Sequence, residues 1–140
     1  MKNVILVLCI AFTISGCNSD DDTNTSICDQ QTIVSAEQYE NAPKDQLFIN
    51  SVAIIGDCLS INFSSSGCDG NSWEVNLIDS EIVALSLPPQ RNLRLSLKND
   101  EACEAFITKE RTFDIRNLRV SGDQVVLSVD DFEDLILYEY

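Results

Sequence analysis

The chain has 140 residues, 23 acidic and 9 basic side chains, six cysteines and no histidine. That length suits one domain, or one domain with a tail, and a net charge of −14 excludes a generic nucleic-acid binder, because a polyphosphate would be repelled rather than shed counterions onto the protein. Without histidine there is no Ser-His-Asp or Cys-His catalysis, no histidine-containing zinc site and no imidazole pH sensor.

Met1-Lys2-Asn3 precedes an apolar run over residues 4–14. A spanning helix needs about 20 apolar residues and a signal-peptide core about 7–15, so the run fits a signal peptide over residues 1–16. Lys2 and the α-amine hold its start on the cytoplasmic side. A buried core element is the other reading, but residues 18–26 offer nothing to continue a core.

The run ends in Ile14-Ser15-Gly16-Cys17. Small residues before the cysteine let extended backbone enter a peptidase cleft, and the thiol is a soft nucleophile that can be alkylated. The stretch resembles a bacterial lipobox, with Ile14 where such boxes usually carry leucine. The resemblance implies diacylglyceryl transfer to Cys17, cleavage after Gly16 and N-acylation (palmitate or a similar chain) of the new terminus. Several acyl chains hold far more firmly than one myristoyl group.

Residues 18–26 contain no aliphatic or aromatic side chain. They cannot offset the entropy of ordering, so residues 17–27 are expected to form a lipidated, flexible, acidic tether. A charge run such as Asp20-Asp21-Asp22 is by default a solvated linker, and a flexible run lacks the rigid oxygen cage that calcium prefers. Behind a lipid-bearing cysteine it also resembles the export signal of Bacteroidota-type surface lipoproteins. That likeness implies an outer-membrane, lipid-anchored protein at the cell surface, with the periplasmic face as the alternative. Loss of residues 1–16 removes Lys2 and no acid, leaving 8 bases against 23 acids, or −15. Such a body is expected to stand off anionic headgroups, held by its anchor alone.

Cys9 leaves with the signal peptide, so Cys28, Cys58, Cys68 and Cys103 remain beside Cys17. An even number in an exported chain implies disulfides; their separations of 30, 10 and 35 contain no C-x2-4-C pair for a zinc site. Of the three pairings, one joining Cys58 to Cys68 is disfavoured, because the apparent strand 59–64 between them spans roughly 20 Å at about 3.3 Å per residue. Counting hairpins leaves the other two open, since Pro88-Pro89 interrupts the count.

From Gln46 onward the hydrophobic period is two. Leu59, Ile61 and Phe63 alternate with serine and asparagine; Trp73, Val75 and Leu77, then Leu93, Leu95 and Leu97, then Val125, Leu127 and Val129, then Ile136, Tyr138 and Tyr140 repeat the pattern. Such alternation marks half-buried strands, and breakers about every ten residues suit an all-β domain. The expected fold is a two-sheet antiparallel sandwich of roughly eight strands over residues 46–140, preceded by a lead-in at 28–45. A small closed barrel is the runner-up. Ser35 with Gln38 three residues on would cap one short helical turn.

Several pieces of the stretch 58–140 resemble a group of uncharacterised Bacteroidota lipoproteins of immunoglobulin-like appearance. They are Phe63-Ser64-Ser65-Ser66-Gly67-Cys68, the strand at 73–77, Ser86-Leu87-Pro88-Pro89-Gln90, the strand at 93–97, Ala102-Cys103-Glu104-Ala105, and Phe113-Asp114-Ile115 with Leu118. The resemblance implies an immunoglobulin-like sandwich and a Cys68–Cys103 bridge, and with it Cys28–Cys58. Members often carry histidines where this chain has Asn71 and Asn99, so no ligand role follows for those positions. The group has no established activity to carry over.

Adjacent acids at Asp130-Asp131, Glu133-Asp134 and Asp100-Glu101 could serve a carboxylate-based hydrolase, but read better as a solvated rim that blunts sheet edges. Pro88-Pro89-Gln90-Arg91 is the best candidate for a presented loop. It is either a protease-inhibitor loop offering Arg91 to a trypsin-like pocket or, by preference, a strand crossover with proline at a sheet edge. Trp73, Phe63 and Phe113 read as core, whereas Tyr138 and Tyr140 are expected to be partly exposed and open to sugar stacking. No catalytic, cofactor-binding or metal-binding residue is assigned. The expectation is a non-enzymatic, lipid-anchored envelope protein, a surface binding or accessory module without cofactor. Its partners would be the membrane, through its lipid, and an unknown protein or glycan ligand, with no nucleic acid.

Overall fold

The computed structural model describes residues 27–140. The signal-peptide and lipobox readings, Cys17 included, and the tether up to residue 26 lie outside the described residues.

Two short strands open the domain, β1 (Gln30–Gln31) and β2 (Ile33–Val34), followed by helix α1 (Ala36–Asn41). Then come β3 (Phe48–Ile55), β4 (Cys58–Gly67), β5 (Glu74–Ala84), β6 (Gln90–Lys98), β7 (Ala105–Asp114), a 3-10 turn at Arg116–Leu118, β8 (Gln124–Val129) and β9 (Ile136–Glu139). They form a sandwich of two separate sheets, ordered β1-β7-β4-β3 and β2-β5-β6-β8-β9. The period-two pattern explains the layering. Leu59, Ile61 and Phe63 on β4 face Leu93, Leu95 and Leu97 on β6 across one buried core that also takes Trp73, Phe113 and Tyr138.

The sheets are mixed, which corrects the antiparallel expectation. β1 runs parallel to β7, β2 to β5, and β6 to β8. The physical reason is connectivity. The chain leaves β7 in one sheet, crosses through the 3-10 turn and enters the other sheet beside β6, so β8 must run in the direction of β6. Likewise one continuous extended segment supplies β1 to one sheet and β2 to the other without reversing. The lead-in 28–45 is therefore built into both layers and is not a flanking segment.

Ser35 is the N-cap of α1, its hydroxyl accepting from the Gln38 amide at 3.2 Å. Arg94 closes the other end of the helix. Its guanidinium donates to the carbonyls of Tyr39 (2.8 Å), Gln38 (3.1 Å), Ala42 (3.3 Å) and Pro43 (3.3 Å). A cation at a helix C-terminus satisfies orphan carbonyls and complements the dipole. α1 and the segment after it thereby cover the part of the five-stranded sheet's outer face around Ile78, Arg94 and Ser96, the last donating to the Pro43 carbonyl at 2.8 Å.

The two ends of the sandwich are distinct. One carries the β3–β4 turn, the β5–β6 loop and the segment after β7, tied together as Ile115 donates to the Asp57 carbonyl and Val126 to the Pro89 carbonyl. The other carries the β4–β5 and β6–β7 loops, joined by a disulfide.

Candidate functional site

Both disulfides occupy strategic joints. Cys28–Cys58 fastens the incoming chain to the first residue of β4, and Cys68–Cys103 links the two loops at the opposite end. Beside the second bridge, residues 67–72 fold into a concave turn whose amides converge. Glu101 fills it. Its Oε2 accepts from the amides of Cys68 (2.5 Å), Gly70 (3.1 Å) and Asp69 (3.2 Å), and its Oε1 from the Ser72 hydroxyl (2.8 Å). Partial desolvation raises this carboxyl, but the Ser72 hydroxyl and the three amides outweigh it and bring it down to about 2. Glycine is required here on two counts: Gly70 has φ +69°, and a Cβ on Gly67 would lie 2.9 Å from the Trp73 ring and collide with the Glu101 carboxylate. The turn is an anion-binding nest already occupied by the chain's own carboxylate.

Asn99 and Asn71 organise the same region. The Asn99 side chain donates to the Ser66 carbonyl (2.6 Å) and accepts from the Glu101 amide (3.0 Å), while Asn71 accepts from Lys109 Nζ (3.1 Å). Both asparagines serve the loops, and among the described residues no group of three or more histidine, cysteine, aspartate or glutamate side chains is placed to hold a metal ion.

Among the described residues no helix packs over the outer face of the four-stranded sheet, where Ser60 and Ser64 are buried among their neighbours and Phe48, Asn50, Phe106 and Glu110 are exposed. With Leu59, Ile61 and Phe63 turned to the core, the alternate residues Ser60, Asn62, Ser64 and Ser66 of β4 point out, in register with Thr112, Glu110, Thr108 and Phe106 of β7. β3 adds Ser51 opposite Asn62 and Phe48 opposite Ser64. Asn50 donates to Asn62 (2.9 Å) and Ser64 (2.8 Å), and Ser64 bonds Thr108 (2.8 Å), fixing a ladder of neutral groups. Phe48 and Phe106 lie across it with ring centroids 6.1 Å apart and are 51% and 65% exposed. Phe48 also lines an open cleft of ≈ 550 Å³ with Lys44, Asp45, Leu47, Arg94 and Asp131, a volume within the range of small-ligand sites.

The segment 88–91 is not the preferred strand crossover at a sheet edge: Pro88 and Pro89 close the hairpin between β5 and β6, which are interior neighbours of the five-stranded sheet, and the alternative of a presented loop divides in two. Pro88, Pro89 and Gln90 are half-buried at the base of the β5–β6 loop, but Arg91 is not offered to solvent. Its side chain points between the sheets and pairs with Asp79, Nη2 to Oδ1 at 2.6 Å and Nε to Oδ2 at 3.0 Å. Asp79 is 0% exposed. The reason is register: Arg91 is in phase with Leu93 and Leu95, and Asp79 with Val75 and Leu77, so both charges fall on the core face. An arginine held this way cannot enter a protease pocket without breaking a buried ion pair. Leucines crown the loop instead, with Leu85 and Leu87 99% and 100% exposed.

Tyr138 and Tyr140 are not a sugar platform either. Tyr138 is buried and donates to Asp57 Oδ1 at 2.7 Å while accepting from Arg119 Nε at 2.9 Å. Burial and then the Asp57 contact push its hydroxyl up to about 12. Tyr140 is half-buried, its hydroxyl bonded to both backbone groups of Val120 at 3.0 Å. Of the acid pairs, Asp130, Asp131, Glu133, Asp134 and Asp100 are exposed and Glu101 is the occupant of the nest. Asp29, Asp57 and Glu101 are each displaced downward, the direction of structural anions.

Comparison with known proteins adds the fold alone. No protein-family model matches the chain, and no curated protein matches it. A solved structure of a protein of unknown function, DUF1344, from Bacteroides vulgatus ATCC 8482 superimposes with a TM-score of 0.50 at 16% identity, over 79% of this chain and 56% of that one. The chain thus spans little more than half the length of that neighbour, which shares the sandwich architecture.

Proposed function

We propose that this protein is a lipid-anchored component of the outer membrane, exposed at the cell surface, whose sandwich works as a non-enzymatic binding module. The Ile14-Ser15-Gly16-Cys17 sequence behind an apolar run supports the anchor, and two oxidised cysteine pairs fit an exported domain. The observation that carries the binding reading is Phe48. It is shared between the cleft and the outer sheet face, where the exposed Phe48 and Phe106 rings lie beside the Asn50, Asn62 and Thr108 hydrogen-bonding groups.

Glycan arrays and in-cell cross-linking with the native protein and a Phe48→Ala/Phe106→Ala variant test this. The variant should lose about tenfold in affinity for whatever the native protein captures, as anchors of an interface do. Equal capture by both proteins moves the binding surface elsewhere. An inhibitor loop built on Arg91 draws no support from the geometry, since that side chain is the partner of Asp79.

A further inference from the structure

We propose that the β5–β6 loop is a lipid-contacting apex that seats the domain on the membrane to which Cys17 tethers it; this rests on the lipid-anchor reading.

Three observations converge on the loop. Leu85 and Leu87 are almost wholly exposed and Ile82 is 65% exposed, yet residues 82–90 contain no charged side chain in a chain where 23% are charged. Solvated loops are expected to be polar, so this concentration of bare apolar surface marks a contact.

Part of the loop's polar backbone is also met within the protein. Pro88 and Pro89 have no N–H. The Ser86 amide donates to the Ala84 carbonyl at 2.9 Å, and the Ser86 hydroxyl, the loop's sole polar side-chain group between residues 82 and 89, donates to the Pro88 carbonyl at 2.7 Å. The Pro89 carbonyl is taken by Val126 N at 2.8 Å. The Leu85 and Leu87 amides at the tip are left for the headgroup level, so the leucine side chains and not the backbone would reach the acyl boundary.

Position agrees with this. The described chain enters beside Cys58, bridged by Cys28, at the end where Asp57 receives Tyr138 and where Pro89 receives Val126. That is the end bearing the loop. Ten residues lie between Cys17 and Cys28, so the anchor lies within about 40 Å of that end even if the chain were fully extended.

The acidic body sets the lipid preference. Anionic headgroups repel it, so the apex engages a zwitterionic surface, driven by apolar contact and indifferent to salt. The domain then rests on the bilayer rather than standing off it.

The test uses the full mature protein, extracted from membranes and reconstituted into phosphatidylcholine vesicles with brominated acyl chains, as native protein and as Leu87→Trp. The native chain has one tryptophan, Trp73, buried at the opposite end. Emission from Leu87→Trp should be quenched roughly twofold, as for a side chain at the acyl boundary, while native emission stays unchanged. Adding Leu85→Asp to Leu87→Trp should abolish the quenching, and so should replacing much of the lipid with phosphatidylglycerol. Mass spectrometry of the same preparations reports Cys17 acylation and both disulfides. Unquenched Leu87→Trp emission with Cys17 acylated overturns the apex and leaves the anchor standing; cross-linking of that loop to another protein or a second copy does the same in favour of a protein partner. An unmodified Cys17 overturns the anchor reading and the apex with it.

Discussion

Arg91 and Asp79 close a two-bond ion pair in the space between the sheets, with Nη2 2.6 Å from Oδ1 and Nε 3.0 Å from Oδ2. Asp79 also accepts the Glu81 amide at 2.9 Å, which pins the irregularity between Asp79 and Val83 where β5 slips register against β6. The pair therefore fixes the strand ends from which the leucine-bearing loop projects.

Removing one partner leaves the other charged and desolvated. Arg91→Ala should destabilise the fold by about 3–5 kcal/mol, whereas Arg91→Met with Asp79→Leu together should restore much of it. Denaturant unfolding of the three proteins measures this. A single variant as stable as the native chain would mean the pair is solvated in solution.

Glu101 gives the stability of the domain a particular pH dependence. Its folded value of about 2 lies below the ordinary 4.5, so its contribution is fully present above pH about 4.5 and is lost as the pH falls from there through about 2. Glu101→Gln should flatten the decline of unfolding free energy across that window, while Gly67→Ala, which pushes the carboxylate out of the nest, should do the same. Denaturation midpoints taken at successive pH values test it; curves for Glu101→Gln parallel to native would remove the nest from the account.

The two bridges close separations of 30 and 35 residues. Chain-entropy arithmetic gives about 3–4 kcal/mol for each. Cys68→Ser/Cys103→Ser and Cys28→Ser/Cys58→Ser should each lower the thermal midpoint substantially, and the second should also release β1 and β2. Hydrogen exchange at residues 30–34 separates the two, rising only when the Cys28–Cys58 bridge is gone.

Tyr138 couples the last strand to the β3–β4 turn through Asp57. Its hydroxyl titrates at about 12 in the fold against an ordinary 10.0. Its contribution is thus whole below pH about 10 and is lost as the pH rises through about 12. Tyr138→Phe should cost about 1–2 kcal/mol at neutral pH through its lost hydrogen bonds and should soften the alkaline decline. Tyrosinate absorbance against pH, native minus variant, isolates this group from Tyr39, which is raised as well.

Much of the architecture was legible because a half-buried strand writes itself as alternation: Leu59-Ile61-Phe63 and Leu93-Leu95-Leu97 announce the facing strands, and Ser35 with Gln38 announces the helix start. β1 and β2 were not legible. Each has two residues, too few for a period, and their partners Phe113 and Ile78 lie far along the chain. Mixed strand directions were hidden for the same reason, since they follow from which sheet a crossover enters. The prolines before Arg91 suggest a crossover or a presented loop, whereas the phase of Arg91 with Leu93 is the signal that places it in a strand and on the core face. The nest was invisible, since it depends on backbone amides that carry no side-chain signature. Phe48 and Phe106 belong to strands whose outer face no alternation pattern distinguishes from core.

The account as a whole depends on the covalent state of residue 17. Mass spectrometry of the N-terminal peptide from membrane-extracted protein tests it most directly. The expected result is a chain beginning at Cys17, carrying a diacylglyceryl thioether and an N-acyl group, with Cys17→Ser abolishing membrane attachment. A chain that keeps residues 1–16, or a Cys17→Ser protein still held at the membrane, would contradict it.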